Sequence, residues 1–545
     1  MPLIEGRVAE LLERYSGAEA SAAHLLCDRY EPGRRAFRIV GADLRTNDLS
    51  YGELREESER FAAALRSLGI GPGDRVATLM GKSRRYLVAL VAIWRLGAVH
   101  VPLFTAFAPP AIAYRLQGSG AKAVVCDEGQ RHKLLPGDDI PANPDWHTIT
   151  TGAATGDALS FDALVEANKP GIPAAQTGGD APFIHIYTSG TTGNPKGVVV
   201  PLRALAAFHA YCEFGFDLRD DDVFWCAADP GWAYGLYYAV IGTLQTGVPS
   251  ILLEAGFTPE LTMAVLGQER VTNFAAAPTV YRALRSSGLA APKSPGLRCA
   301  SSAGEPLTPE VNEWAERELG VLVHDHYGQT EAGMLVNNHH HPLVADELKP
   351  GSMGCSMPGW KAVILDDERD EELGPEEMGR LAIRLADSPL AWFPGYHGDA
   401  AKSAEKFTED GNYYLTGDTA KVDGDGHFTF SARDDDVIIM AGYRIGPFEV
   451  ESTLATHPAV TESAVIAVPD EVRGEVIEAY VVLDDSHAPS EELAADLQQW
   501  VKQRFAAHAY PRAIHFVDAM PKTPSGKIQR FVLKQWRIDE LDGVQ

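Results

Sequence analysis

The residues best suited to chemistry crowd into one stretch, Ile186-Tyr187-Thr188-Ser189-Gly190-Thr191-Thr192-Gly193-Asn194-Pro195-Lys196-Gly197. Glycines (Gly190, Gly193) let main-chain N–H groups turn toward an anion. The hydroxyls of Thr188, Ser189, Thr191 and Thr192 add donors, and Lys196 adds a cation. A loop of this make-up after a strand (PFIHIY) can wrap phosphate oxygens. It is not a Walker A loop: counted from Gly190, the second glycine position holds Pro195, and no Gly-Lys-Ser/Thr follows. The rest of the chain is hostile to phosphate. Its 545 residues carry 48 Lys+Arg against 75 Asp+Glu, a formal net charge of −27. Such a surface repels nucleic acid and anionic lipid, so a phosphate-bearing ligand needs a site with its own positive field.

The elements that must hold this loop follow a β-then-α rhythm. Residues 53–70 space Phe61, Leu65 and Leu68 at helical intervals and stop at Gly69. GPGD then turns the chain into a strand, RVATLM. A buried helix, RRYLVALVAIWRLG, closes at Gly97, and AKAVVCDE reads as another strand. The pattern predicts layered α/β subdomains with parallel strands buried on both faces. The glycines near residue 70 lie between helix and strand, the wrong order for a dinucleotide fingerprint. Near residue 433 the pattern changes. DGDGHFTFSARDDDVIIMAGYR reads as two strands around a charged turn, followed by helix, strand, strand and helix. Residues 1–433 are thus expected as a large N-terminal region and 434–545 as a small α+β domain, joined at Asp434-Asp435-Asp436.

Other classes fall away. Six scattered cysteines without a C-x-x-C give neither a disulfide framework nor a thiolate zinc site, which fits a reducing cytoplasm. The N-terminus has acids among its apolar residues and no signal-peptide core. The longest apolar run, Tyr86 to Trp94, breaks at Arg95, short of the roughly 20 residues of a membrane span. A cytoplasmic, soluble protein without a membrane span is expected, and homo-oligomerisation is left open. His339, His340 and His341 are adjacent and cannot all point at one ion, so they read as a solvated loop.

The donor-rich loop resembles the signature loop of the adenylate-forming superfamily, which includes acyl- and aryl-CoA synthetases. Further motifs follow in the family's order. Tyr327-Gly328-Gln329-Thr330-Glu331 is similar to its second nucleotide motif, preceded by Asp325, and Tyr414-Leu415-Thr416-Gly417-Asp418 to its ribose motif. Arg433 with the aspartates after it resembles its hinge, with Asp435 as pivot. Gly442-Tyr443-Arg444-Ile445-Gly446 and Pro521-Lys522-Thr523-Pro524-Ser525-Gly526-Lys527-Ile528 resemble its C-terminal motifs.

The resemblance implies a carboxylic acid activated by ATP as acyl-AMP and then passed to a thiol while the C-terminal domain rotates. Catalysis is implied for Lys527, Glu331 and Thr188, with Glu331 and Thr188 holding Mg²⁺. ATP contacts are implied for Thr188, Ser189, Gly190, Thr191, Thr192, Gly193, Lys196, Asp325, Tyr327, Gly328, Gln329, Thr330, Asp418 and Arg433. Gly304-Glu305-Pro306 resembles the segment stacked on adenine. The C-terminal domain looks most like the medium-chain acyl-CoA synthetase branch, which implies CoA contacts at Gly442, Tyr443, Arg444, Arg473, Lys502 and Tyr510. Ile439 departs from the family pattern, which places asparagine there.

Gly328 stands where related acetyl-CoA synthetases carry a tryptophan that shortens the acyl pocket. Each methylene buried in space so released would contribute about 0.8 kcal/mol. An acid longer than propionate is therefore expected, with Trp232 lining its pocket. The alternatives are an aryl acid, or transfer to a carrier-protein thiol.

Overall fold

The computed structural model describes residues 2–188, 195–292, 296–433, 436, 438–440, 443–470, 474–505, 509–522 and 528–541, with backbone alone at 2, 439, 440, 443, 444 and 474. The predicted helix near residue 53 is α1 (Tyr51–Ser67). Ser50 caps it in a reciprocal box with Glu53. After the turn, where Gly71 N–H donates to Asp74 at 2.9 Å, come β1 (Arg75–Leu79) and α2 (Arg84–Arg95), capped by Ser83. α2 is buried from Tyr86 onward, and Arg95 is buried with it. Its guanidinium meets both oxygens of Asp28 at 2.8 and 2.6 Å, which makes burial of that charge tolerable.

β1 lies in a seven-stranded sheet with β2 (Val99–Pro102), β3 (Ala121–Cys126), β4 (Pro182–Tyr187) and β5 (Gly197–Pro201). Its neighbours run parallel except for the antiparallel pair β4–β5. The donor-rich loop is therefore the connection of a hairpin. The next described element is a strand rather than a helix.

A nine-stranded sheet contains β6 (Phe224–Cys226), β7 (Asn273–Ala276), β8 (Cys299–Ala303), β9 (Val323–Gln329), β10 (Gly333–Asn337) and β11 (Cys355–Ser356). β6 to β9 are parallel, while β9–β10 and β10–β11 are antiparallel. A third sheet, absent from the sequence reading, is an antiparallel meander of β12 (Ala362–Leu365), β13 (Met378–Arg384), β14 (Tyr413–Val422) and β15 (Phe428–Arg433).

The two strands expected around the acidic turn belong to different sheets. β15 ends the meander, and Ile438–Met440 opens the five-stranded sheet of the small C-terminal domain. That domain has its own apolar cluster, from Ile438 to Leu533. No helix among the described residues is long and apolar enough to cross a membrane.

Candidate functional site

Of the expected site residues, Thr188, Lys196, Tyr327, Gln329, Glu331, Asp418 and Arg433 lie where the hairpin of β4–β5, the end of β9 and the meander meet. β9 closes on β10 through a turn in which Ala332 N–H donates to the Gln329 carbonyl at 3.2 Å. Gly333 adopts φ +80° there, a backbone that β-carbon-bearing residues avoid. This turn sets Glu331, 9% exposed, beside Tyr396, whose hydroxyl donates to Oε1 at 2.7 Å. Lys196 lies over the same Tyr396 ring at 5.0 Å. Thr188 closes the base of the loop, its N–H donating to the Lys196 carbonyl at 2.9 Å.

Asp418 sits in a bulge, where Thr416, Gly417 and Asp418 together oppose Leu381 of β13. Thr416 Oγ1 accepts from Asp418 N–H at 3.2 Å and donates to the Leu381 carbonyl at 2.7 Å. The Asp418 carboxylate accepts from the Tyr327 hydroxyl and, at 2.8 Å, from Gln329 Nε2. Tyr414 donates to Gln329 Oε1 at 2.7 Å, which fixes the amide so that its N–H₂ faces Asp418. Arg433 is the cross-strand partner of Asp418. Burial raises the pKa of Tyr327, Tyr414 and Tyr396, so all three stay protonated donors at neutral pH.

Lys406 was missed by the sequence reading. Its Nζ donates to the Thr416 carbonyl at 2.8 Å and lies over Tyr414 at 5.2 Å. Burial lowers its pKa, opposed by the charges of Glu331 and Asp418. Lys196 and Arg433 also act on it, so this corner holds three cations on a protein with net charge −27. Nothing around Lys406 in the sequence marks it, because it acts through a fold contact rather than a motif.

Other expected residues take different places. Gly304 has φ +105° with open space at its missing Cβ, while Glu305 turns to Arg282, accepting from its guanidinium at 2.8 Å. Pro306 precedes Leu307, whose N–H donates to Asp325 Oδ2 at 3.2 Å, and Ser302 donates to Oδ1 at 3.0 Å. The Asp325 carboxyl thus braces the 302–307 segment, with its pKa raised to about 7 by burial. Trp232 packs on Phe104 and Phe107 at 5.4 and 5.5 Å between ring centroids, and its buried indole N–H has no partner among the described residues. From Trp232 the chain enters a helical segment in which Tyr237 donates to the Thr330 carbonyl at 3.1 Å, tying this aromatic wall to the Glu331 turn.

Two expectations need correction. The bare Cα of Gly328 does not border free volume: a Cβ there would stand 2.3 Å from the Gly333 carbonyl oxygen and 2.7 Å from Met334 Cα. Glycine is required because β10 approaches so closely. The histidine run is not a solvated loop, since His339 is 4% exposed and His340 stacks on His324 with centroids 3.6 Å apart. In the C-terminal domain Lys502 lies over Tyr510 at 5.4 Å, joined by Arg512 at 3.9 Å. Ser189, Gly190, Thr191, Thr192, Gly193, Asp435, Gly442, Arg473 and Lys527 lie outside the described residues. So do the side chains of Ile439, Tyr443 and Arg444.

For Mg²⁺ the donor set fits. Tyr396 occupies only Oε1 of Glu331, and carboxylate and hydroxyl oxygens suit this hard cation.

The family model of the AMP-binding enzyme matches residues 27–397, and that of the AMP-binding enzyme C-terminal domain matches 449–527. The chain is 36% identical over 530 residues to an acetyl-coenzyme A synthetase of Bacillus subtilis, covering 95% of this chain and 91% of that one. The crystal structure of a Brucella canis acyl-CoA synthetase superposes with a TM-score of 0.75 at 43% identity, covering 98% of each chain. A benzoate CoA ligase from Burkholderia xenovorans superposes with a TM-score of 0.82 at 31% identity, covering 94% of this chain and all of the other (100%).

Proposed function

The chain belongs to the AMP-binding enzymes and is an ATP-dependent acid–CoA ligase; from that premise we propose that its acid is a short- to medium-chain carboxylic acid, saturated or branched and longer than propionate. The observation that supports this reading is the wall of Phe104, Phe107 and Trp232, tied to the Glu331 turn through Tyr237. Apolar chain laid on such a wall gains about 0.8 kcal/mol per buried methylene, and acetate offers too little of it.

In the first half-reaction a carboxylate oxygen forms a bond to the α-phosphorus of ATP and the bond to pyrophosphate breaks. One anion approaches another, so preplaced cations lower the barrier most. Lys196 and the loop 188–193 take the phosphates, and Lys527 bridges carboxylate and α-phosphate. Glu331 and Thr188 would hold Mg²⁺, which would supply further neutralisation of phosphate charge. Asp418 accepts from the ribose diol, held in place by Tyr327 and Gln329, with Arg433 beside it. Gly304-Glu305-Pro306 borders the adenine, braced by Asp325.

In the second half-reaction the C-terminal domain pivots at Asp435. The CoA sulfur then forms a bond to the acyl carbon and the bond to AMP breaks. Gly442, Tyr443, Arg444, Arg473, Lys502 and Tyr510 contact CoA, and the cations among them suit its phosphates where a carrier-protein thiol would not demand them.

A second reading, an aryl acid, is favoured by the aromatic character of the wall and the likeness to a benzoate CoA ligase. Thioester formation across straight-chain, branched and aromatic acids of increasing length separates the two. We expect turnover to peak among aliphatic acids longer than propionate, and Trp232→Ala to lower kcat/KM for these at least about tenfold, the scale of a lost aromatic contact. A peak at acetate or at benzoate-type acids would overturn the aliphatic reading.

A further inference from the structure

The turn joining β14 to β15 packs His427 against the start of β11 and the loop around Asp346. The His427 side chain is 3% exposed, and its Nδ1 has no hydrogen-bond partner among the described residues. Its nearest carboxylates stop at 3.9 Å on either side, Asp346 Oδ2 from Nε2 and Asp423 Oδ1 from Nδ1. A buried ring nitrogen without a partner is uncommon, because its lost hydration goes unreplaced. The thiol of Cys355 completes the group: the ligand atoms of Asp346, Cys355 and His427 all lie within 4.8 Å of one another. Asp346 Oδ1 accepts from Glu347 N–H at 2.8 Å, which leaves Oδ2 directed at His427.

The field around the three is negative. Asp346, Asp423 and Asp425 all act on Cys355, opposed by Lys349, whose Nζ is shared between Asp423 and Asp425 at 2.6 Å each. A divalent cation there would exchange with the thiol proton and bind His427 Nε2, leaving Nδ1–H turned toward Asp423 Oδ1, the outer-shell arrangement of a metal-bound histidine.

We propose that Asp346, Cys355 and His427 form a binding site for one zinc-type divalent cation, with water as fourth ligand. Thiolate, imidazole and carboxylate are zinc's donors, and bonds of about 2.0–2.3 Å place tetrahedral donors roughly 3.3–3.8 Å apart. The observed 3.9 Å between Nε2 and Oδ2 needs only slight closure. A thiolate is a poor ligand for Mg²⁺, so the metal of the ligase reaction does not compete. On binding, the Cys355 S–H bond breaks, its proton passes to solvent and the sulfur–metal bond forms, with no redox change. The bound ion ties the Asp346 loop and β11 to the hairpin of β14 and β15, the strands that carry Asp418 and Arg433.

Another triad, His324, His326 and His340, has comparable spacing but committed nitrogens. His326 meets the Asn338 carbonyl at 2.9 Å and the Tyr211 hydroxyl at 2.6 Å, and His340 meets the Ala300 carbonyl at 3.1 Å.

The test uses the full chain stripped of metal and titrated, in excess Mg²⁺, first with Co²⁺ and then with Zn²⁺. One equivalent of Co²⁺ should produce a thiolate-to-cobalt charge-transfer band in the near ultraviolet. Zn²⁺ should displace it and raise the thermal unfolding midpoint. The other five cysteines are buried, so Cys355→Ser should abolish the band while leaving basal ligase activity unchanged. Asp346→Asn, at an exposed position that folding tolerates, should weaken Zn²⁺ binding at least about tenfold. Absence of the band in the wild type overturns the proposal. So does a band that survives Cys355→Ser, and Zn²⁺ affinity unchanged in Asp346→Asn overturns the ligand set.

Discussion

Asp418 shows how one side chain is made ready for a ligand. Two donors from β9, Tyr327 and Gln329, converge on its carboxylate, and Tyr414 fixes which way the Gln329 amide faces. Its strand-opposed neighbour Arg433 adds positive charge. Lys527 is the opposite case, a single ammonium proposed from its motif alone, lying outside the described residues. Lys527→Ala should slow acyl-adenylate formation at least about 100-fold, the scale for removing one charge-stabilising group. The variant should still turn supplied acyl-AMP and CoA into thioester. Single-turnover assays of each half-reaction check this, and equal damage to both would show that the lysine is not confined to adenylation.

At the level of elements, the hairpin of β9 and β10 carries Glu331 in its turn, and the closeness of its strands dictates glycine at 328. Gly328→Ala would set a Cβ against main chain rather than against a yielding side-chain tip. We expect a loss of about 1–3 kcal/mol in denaturant-monitored stability, the range for forced overpacking. No shift in acid preference should accompany it. A Gly328→Ala chain of full stability with an altered chain-length profile would restore the view that this glycine opens the acyl pocket. The hairpin of β4 and β5 makes a related point. A strand and not a helix follows its loop, so in the proposed reaction the loop's own share of phosphate attraction would come from N–H groups, hydroxyls and Lys196.

Across the whole molecule, two apolar cores meet near the acidic segment after Arg433. Phe430 and Phe448 have ring centroids 6.1 Å apart across the joint, and Gly446 packs so close to Ser431 that an added Cβ would stand 2.5 Å from its carbonyl oxygen. We propose that the small domain turns about this joint between half-reactions. Asp435→Pro, which fixes φ at the proposed pivot, should slow thioester formation from acyl-AMP at least about tenfold while sparing pyrophosphate exchange, because only the second step needs the rotation. Equal retention of both rates would move the pivot elsewhere.

The sequence by itself determined the α/β rhythm of the first two sheets, the acidic surface and the order of the nucleotide motifs. Each is a local property: Phe61, Leu65 and Leu68 mark one helix face, and hydroxyls and glycines adjacent in the chain make a phosphate loop wherever it lies. The tertiary structure decided what depends on residues far apart. It set Lys406 beside Glu331 and Asp418, turned Glu305 toward Arg282, buried His339, and closed the space at Gly328 with the carbonyl of Gly333. It also gathered Asp346, Cys355 and His427 from three separate stretches. No spacing rule along a chain reports such meetings, because they are fixed by the packing of sheets and the bulges that aim their side chains.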